Sequence, residues 1–207
     1  MRPRPVQHEQ VVRKVSASRC KTARERNFAG SAEARGRGCY SPTGRVLFVL
    51  VLLAHHRRRI VHFAITEHPT AAWTAQQIIE AFPDDTAPRW LLRDRDAIYS
   101  DAFRRRVAGM DIREVVCAPS CPWQNPYAER LIGSLRRECL DHIIVFSEAH
   151  LRRVLTFYVF YYHRTRTHLA LEKDAPVRRR VQASTEGRVI AFPEVGGLHH
   201  RYERRAA

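Results

Sequence analysis

The stretch that decides the fold reads LLRDRDAIYSDAFRRRVAGMDIREVVCAPSCPWQNPYAERLIGSLRREC, residues 91–139. Asp94 follows the short apolar, strand-like run at its start. Near its end, Asn125 is a favourable N-cap and Pro126 fits the first helical position, so a helix begins there and carries Glu129 in its first turn. The sequence thus places one carboxylate after a strand and another on a helix, with 34 residues between them.

The predicted helix has two unlike faces. Steps of 100° per residue put Gly133, Arg136 and Arg137 on the side of Glu129. The opposite side collects Leu131, Leu135 and Cys139. One face is therefore expected to pack, while the other offers a carboxylate among arginines.

The chain is strongly basic. Its 207 residues include 36 Lys and Arg against 21 Asp and Glu, a formal net charge of +15, and only Lys14, Lys21 and Lys173 are lysines. Arginine binds phosphate with its planar fork and stacks on bases, so this balance favours a nucleic-acid partner. An arginine-rich composition from GC-rich coding is the alternative explanation. Two carboxylates in such a chain suggest divalent-metal chemistry on a polyanion such as DNA.

The cysteine count and the length of the apolar runs indicate which cellular environment the chain suits. Five cysteines, an odd number, follow an N-terminus without an apolar leader core, which predicts free thiols in a reducing, cytoplasmic environment. The longest apolar run, Val46–Ala54, is too short to cross a bilayer as a helix, so no membrane partner is expected.

Three regions are expected along the chain. Residues 1–44 show no sustained periodicity and predict a disordered, non-native segment. Residues 45–181 predict one α/β domain: strands at 46–54 and 59–66, a helix at 74–82, a strand at 89–92, helices at 101–107, from 126 and from 147, and a strand at 112–116. The strand at 46–54 is apolar throughout, which suits burial on both faces. Residues 182–207 predict a basic tail.

Three motifs in order resemble one family. They are LLRDRDAIYSDAF (91–103), APSCPWQNPYAERLIGSLRREC (118–139), and YYHRTRTHLAL (161–171) followed by DAPV (174–177). Together they resemble the catalytic core of retroviral-integrase-like transposases from bacterial insertion sequences, the DDE group. The resemblance implies a ribonuclease H-like mixed sheet flanked by helices. It also implies metal-dependent DNA strand transfer in DNA integration, with Mg²⁺ or Mn²⁺ as the cofactor. DNA is the implied partner, and a homo-oligomer is compatible with it.

The resemblance also assigns residues. Asp94 and Glu129 match the family's strand-end aspartate and helix glutamate, the implied catalytic metal ligands. In relatives, the loop formed by Trp123, Gln124 and Asn125 lies against DNA. Arg130, Arg136 and Arg137 lie on the side of the helix that carries Glu129, which makes them candidate phosphate contacts.

One family feature is missing. The first of three catalytic acids should lie on a strand ahead of Arg45, yet residues 1–83 contain no aspartate. Within residues 27–44, just before Arg45, the only carboxylate is Glu33, between alanines and glycines that do not favour a buried strand. The sequence therefore predicts a truncated or frame-shifted copy, its first strand missing or replaced, with little or no activity.

Each assignment has a plainer alternative. Asp94 could pair with Arg93 or Arg95 in a solvated turn, and Glu129 could serve only the helix dipole. The three arginines could be a solvated face, and Trp123 could cover the edge of the core. The aromatic residues from Phe157 to Tyr162 recur at helical spacing and predict core packing rather than base stacking.

Two other kinds of protein stay open. A catalytically silent DNA-binding module would keep the basic face without strand transfer. A zinc-stabilised interaction protein would use the ligand types at Cys117, Cys121, Cys139 and His142, although Cys139 falls on the packing face of its helix.

Overall fold

The computed structural model describes residues 10–16, 39–40, 46–83, 86–119 and 121–206. In chain order its elements are β1 (Gln10–Ser16), β2 (Cys39–Tyr40), β3 (Val46–Ala54), β4 (Arg59–Thr66), α1 (Ala71–Ala81), β5 (Trp90–Arg93), α2 (Asp101–Ala108), β6 (Arg113–Val116), α3 (Pro126–Glu138), α4 (Glu148–Arg164), β7 (Arg188–Glu194) and β8 (His199–Arg205).

The main sheet is mixed. Its strands run β4-β3-β1-β5-β6, and β2 pairs with the beginning of β3. β3 is antiparallel to both β4 and β1, whereas β5 is parallel to β1 and to β6. This antiparallel half joined to a parallel half is the predicted ribonuclease H-like α/β arrangement.

β3 is the centre of the core because it is apolar on both faces. Val49, Val51 and Leu53 pack in one cluster with side chains of α3 and α4. Leu50 and Leu52 belong to a second cluster with side chains of α1 and α2. Since successive strand residues point to opposite faces, the unbroken apolar run places helices on both sides of the sheet, as predicted.

Hydroxyl caps set two helix starts. Thr70 accepts a bond from the Trp73 N–H at 3.1 Å, so α1 begins at Ala71 rather than at the predicted residue 74. Ser147 caps α4 in the same way, through the His150 N–H at 3.1 Å. The predicted helix start at Pro126 is confirmed.

The N-terminal prediction needs correction. β1 and β2 lie inside the segment 1–44 that the sequence predicts to be disordered; the rest of that segment, Glu33 included, lies outside the described residues. β1 occupies the first-strand position of the sheet and lies further upstream than the twenty residues before Arg45. Two adjacent basic residues, Arg13 and Lys14, interrupt its apolar pattern, which is why periodicity did not reveal it.

The C-terminal prediction is also wrong. Within residues 182–207, β7 and β8 form an antiparallel hairpin. Val195, in the turn between them, is buried in the same cluster as α4. His199 stacks on Tyr161 with ring centroids 4.4 Å apart. Most residues of β7 and β8 are exposed, so this basic stretch shows little of the apolar pattern that predicts strands. The hairpin is held in place by its contacts with α4.

The aromatic side chains of α4 are predicted to pack in the core, but only some of them do. Tyr158 and Tyr162 are buried in the core, whereas Phe157 and Phe160 are exposed. Among the helices of the described residues, none is long and apolar enough to cross a membrane.

Candidate active site

The ends of β5 and β6 meet the first turn of α3. Leu92, Cys117 and Ala128 form a small buried cluster, and the Cys117 N–H donates to the Arg93 carbonyl at 2.9 Å. Leu92 lies two residues before Asp94, and Ala128 directly precedes Glu129. The fold therefore carries the two predicted acids on adjoining elements at one end of the sheet.

A compact turn holds Asp94. Its Oδ1 accepts a bond from the Asp96 N–H at 3.1 Å. Arg93 is buried, and its Nε donates to Glu114 at 2.5 Å, while the Nε of Arg95 donates to the Cys117 carbonyl at 3.0 Å. Both flanking guanidiniums thus have acceptors on the β6 side.

Asn125 does not act as the predicted N-cap. Its backbone carbonyl accepts the Glu129 N–H at 3.2 Å, but its side chain makes no capping bond. The side chain is 2% exposed, and neither its Oδ1 nor its Nδ2 has a hydrogen-bond partner among the described residues. A buried amide without partners costs about 1–3 kcal/mol, so this group next to Glu129 is poised to accept a ligand or water contact.

The arginine face of α3 forms as predicted. Arg130 and Arg137 are exposed. The Arg137 guanidinium lies over Gly133, where an added Cβ would stand 2.8 Å from Nη1. Arg136 is half-buried, and its Nε lacks a hydrogen-bond partner within the part of the chain that the structure describes. Glu129, half-buried, lies on the helix that carries all three.

The loop before α3 projects outward. Trp123 is 69% exposed, so the alternative that it covers the edge of the core is wrong. Gln124 is also exposed, and its Oε1 accepts the Ala118 N–H at 2.7 Å, which ties the loop to the end of β6. The fold therefore leaves a free indole beside α3.

The pairing of β1 with β5 indicates which residue of β1 stands where the family has its first catalytic acid. β1 and β5 pair in parallel with Gln10 opposite Leu91 and Val11 opposite Leu92. Continuing this register by two residues brings position 13 level with Asp94, and the sequence has arginine there. β1 also contacts α3. Across Gln10–Ser16 the sequence contains no carboxylate.

The residues do not fit a three-acid metal centre. Within the described ranges, no group of three or more His, Cys, Asp and Glu side chains could hold a metal ion. Asp94 and Glu129 supply two carboxylates, and the third expected position carries a basic residue. Among the described residues, a two-metal site that needs three acids therefore has only two of them.

The zinc alternative is not supported either. Cys117 packs beside Ala128 near the start of α3, whereas Cys139 lies past the end of α3 in the main core. His142 bonds to the Arg137 carbonyl at 2.7 Å. The proposed ligands are thus distributed along the length of α3 rather than gathered around one point.

The contacts between Arg166 and the end of α3 were not predicted from the sequence. Arg166, within the YYHRTRTHLAL motif, bonds to Glu138 at the end of α3 and to Ser134 one turn earlier. The Tyr158 hydroxyl donates to the same Glu138 carboxylate at 2.9 Å. The motif was recognisable, but its partner 28 residues upstream was not.

The fold defines a class, a ribonuclease H-like α/β core, and Asp94 and Glu129 lie on adjoining elements at one end of its sheet. Residues 110–176 match the family described as Integrase core domain. This stretch includes Glu129 and the whole of α3. None of the curated proteins compared with the chain matches it in sequence.

Solved structures share the architecture. The simian T-cell lymphotropic virus intasome in complex with PP2A regulatory subunit B56 gamma contains a chain with TM-score 0.57 and 11% identity, covering 95% of this chain and 66% of that one. The HTLV-2 integrase catalytic core domain in complex with magnesium, in trimeric form, gives 0.52 and 8%, covering 82% and 93%. The Mos1 strand transfer complex gives 0.51 and 16%, covering 73% and 46%.

These likenesses establish the fold. At such identities they show that the chain has the α/β architecture of integrase catalytic cores. The chain spans slightly under two thirds of the matched intasome protein and less than half of the Mos1 protein.

Proposed function

We propose that this chain is a DNA-binding, integrase-like core of an insertion-sequence transposase, acting in DNA integration, whose catalytic centre is incomplete. The pairing of Gln10 with Leu91 and of Val11 with Leu92 carries the proposal, because continuing this register by two residues brings position 13, an arginine, level with Asp94, where a third acid would be needed. The family match over residues 110–176 supports the DNA-integration class. The chain binds DNA but has little or no strand-transfer activity.

DNA contact is assigned to the face of α3. Arg130, Arg136 and Arg137 bind backbone phosphates, because guanidinium groups pair with phosphate oxygens and release counterions. Trp123 and the Gln124–Asn125 loop lie against the same strand. The buried amide of Asn125, which has no hydrogen-bond partner among the described residues, then gains one.

The proposed metal chemistry is limited by charge. With both Asp94 and Glu129 available, Mg²⁺ or Mn²⁺ would supply activation of a water or of a DNA 3′-hydroxyl. An arginine rather than an aspartate at position 13 of the sequence leaves this strand without a carboxylate, so fewer negative charges are available to hold a divalent cation.

A gel assay on a labelled DNA end, with Mg²⁺ or Mn²⁺, tests the catalytic part. Wild-type protein is expected to give negligible cleavage. Arg13→Asp, which restores an acid at the β1 position, is expected to bind Mn²⁺ more tightly in calorimetry than wild type. Robust cleavage by wild type that Glu129→Gln abolishes would overturn the proposal of an incomplete centre.

Salt-dependent binding to duplex DNA tests the binding part. Replacing Arg130 and Arg137 with Gln is expected to lower the slope of log affinity against log salt by about 0.9 for each phosphate that the variant no longer neutralises. Arg152→Gln is the matched control, since Arg152 is exposed on α4 and pairs with Glu148. Equal slopes for all three proteins would refute DNA contact by α3.

Assembly and location complete the proposal. The chain is proposed to act in the cytoplasm and as a homo-oligomer, the latter supported by the trimeric form and the intasome named among the similar structures. Sedimentation at several concentrations checks the assembly.

A further inference from the structure

A wide groove lies between the C-terminal half of α4, the segment 170–182 and β8. Its volume is about 1060 Å³, and no predicted active-site residue lines it. Arg57, in the turn between β3 and β4, fixes one wall: its guanidinium bonds to Asp174 and to the Ala175 carbonyl at 2.6 Å and to the Pro176 carbonyl at 2.9 Å. The groove is thus a built feature of the tertiary fold.

The groove is unbalanced in charge. Eight basic side chains line it against three acidic ones. Three of the basic groups have acidic partners: Arg57 with Asp174, Arg180 with Glu186, and Arg201 with Glu194 and Glu203. The remaining five form no ion pair within the described residues; they are Arg164, Lys173, Arg178, Arg179 and Arg204. Uncompensated like charges in a concave surface repel one another and attract a polyanion.

Two exposed aromatic rings line the same groove. Phe160 is 50% exposed and Tyr202 is 62% exposed. The Arg164 guanidinium lies 4.8 Å from the centroid of the Phe160 ring. Exposed rings beside guanidiniums that form no ion pair within the described residues suit bases that stack while their phosphates pair with arginine. Such stacking needs unpaired bases, because the bases of a duplex already stack on one another.

We propose that this groove binds a single-stranded segment of nucleic acid, with bases stacked on Phe160 and Tyr202 and phosphates held by Arg178, Arg179 and Arg204. The site goes beyond the DNA contact proposed for α3, since it uses different residues and a different strand state. It would give the chain a second point of attachment for a strand that leaves a duplex.

Fluorescence anisotropy with a labelled oligodeoxythymidylate and a labelled duplex tests the proposal. The double variant Phe160→Ala and Tyr202→Ala is expected to lose about tenfold in single-strand affinity per ring, with duplex affinity unchanged. Arg178→Gln with Arg179→Gln should lower the single-strand salt slope by about 0.7 for each phosphate that is no longer neutralised. Phe157→Ala is the matched control, since Phe157 is exposed on α4 but does not line the groove.

The outcomes separate this site from the α3 face. Unchanged single-strand affinity in the aromatic double variant, or an equal loss for duplex DNA, overturns the groove. If Arg130→Gln with Arg137→Gln weakens duplex binding in the same series, the α3 proposal survives that failure. If only the groove variants lose affinity, the α3 proposal fails and the groove stands. A parallel titration with labelled oligouridylate shows whether the groove prefers single-stranded DNA or RNA. Tight binding of either single strand supports the site.

Discussion

Arg166 donates two hydrogen bonds to the Glu138 carboxylate: its Nε lies 2.8 Å from Oε2 and its Nη2 lies 2.7 Å from Oε1. This pair joins the end of α3 to the segment after α4. Burial alone would raise the pKa of Glu138, but the hydrogen bonds and charge of Arg166 outweigh it and hold that pKa below its ordinary value. The helix that carries Glu129 is therefore held at its far end by a fixed salt bridge.

Breaking this pair should destabilise the domain. Arg166→Gln is expected to lower the free energy of unfolding by about 2–3 kcal/mol, below the range for fully buried pairs because both side chains keep some solvent contact. Urea unfolding measures the loss. Arg152→Gln, which removes an exposed i,i+4 pair with Glu148, should cost less than about 0.5 kcal/mol. Equal losses would show that the Glu138 pair contributes no more than a surface bridge.

Acidification should weaken the fold through His163. Burial, with Arg59 and Arg164 nearby, lowers the pKa of His163 to about 4. Its Nε2 accepts the Ile60 N–H at 2.9 Å, which requires the neutral ring. The unfolded chain takes up this proton near the ordinary pKa of about 6.5 and the folded chain only near 4, so stability falls as pH drops through that window.

A glutamine variant checks the assignment. His163→Gln keeps an acceptor for the Ile60 N–H but cannot titrate, so its unfolding midpoint should change less between pH 7 and pH 4.5 than that of wild type. His168, whose pKa burial and Arg166 also lower to about 4, contributes in the same direction and remains in both proteins. Identical pH profiles would rule out His163 as a source of the loss.

Replacing Gly133 should stabilise α3. Glycine inside a helix costs about 0.5–1 kcal/mol relative to alanine, and the new methyl group would meet only the flexible end of Arg137. Gly133→Ala is therefore expected to raise the free energy of unfolding by up to about 1 kcal/mol while it displaces that guanidinium. The gain should be as large or larger with Arg137→Gln present. A net loss would mean that Arg137 is held firmly over the glycine.

Removing the hairpin should expose the core. Deletion of residues 188–207 takes away Val195 and the His199 ring that stacks on Tyr161 and bonds to the Glu138 carbonyl at 2.8 Å. Burial of one aliphatic side chain and one ring contact predicts a loss of about 2–4 kcal/mol. Val189→Ala, at an exposed position of β7, should change stability by less than about 0.5 kcal/mol. A deletion without effect would restore the interpretation of this stretch as a tail.

The sequence by itself determined the elements whose patterns are local. The apolar run Val46–Ala54 predicted a strand buried on both faces, and the α1/α2 and α3/α4 clusters on its two sides confirm it. Pro126 fixed the start of α3, and helical spacing put Leu131 and Leu135 inward. These features depend on backbone propensity and periodicity, which neighbouring residues carry.

Tertiary structure alone decided the rest, because distant pairings set it. β1 is a strand through its partners β3 and β5, although Arg13 and Lys14 interrupt its own pattern. The side chain of Asn125 is buried rather than capping. The basic groove exists because Arg57 meets residues more than a hundred positions away. Such contacts leave no period in the sequence, since the free energy that selects them comes from burial and charge pairing between segments that only folding brings together.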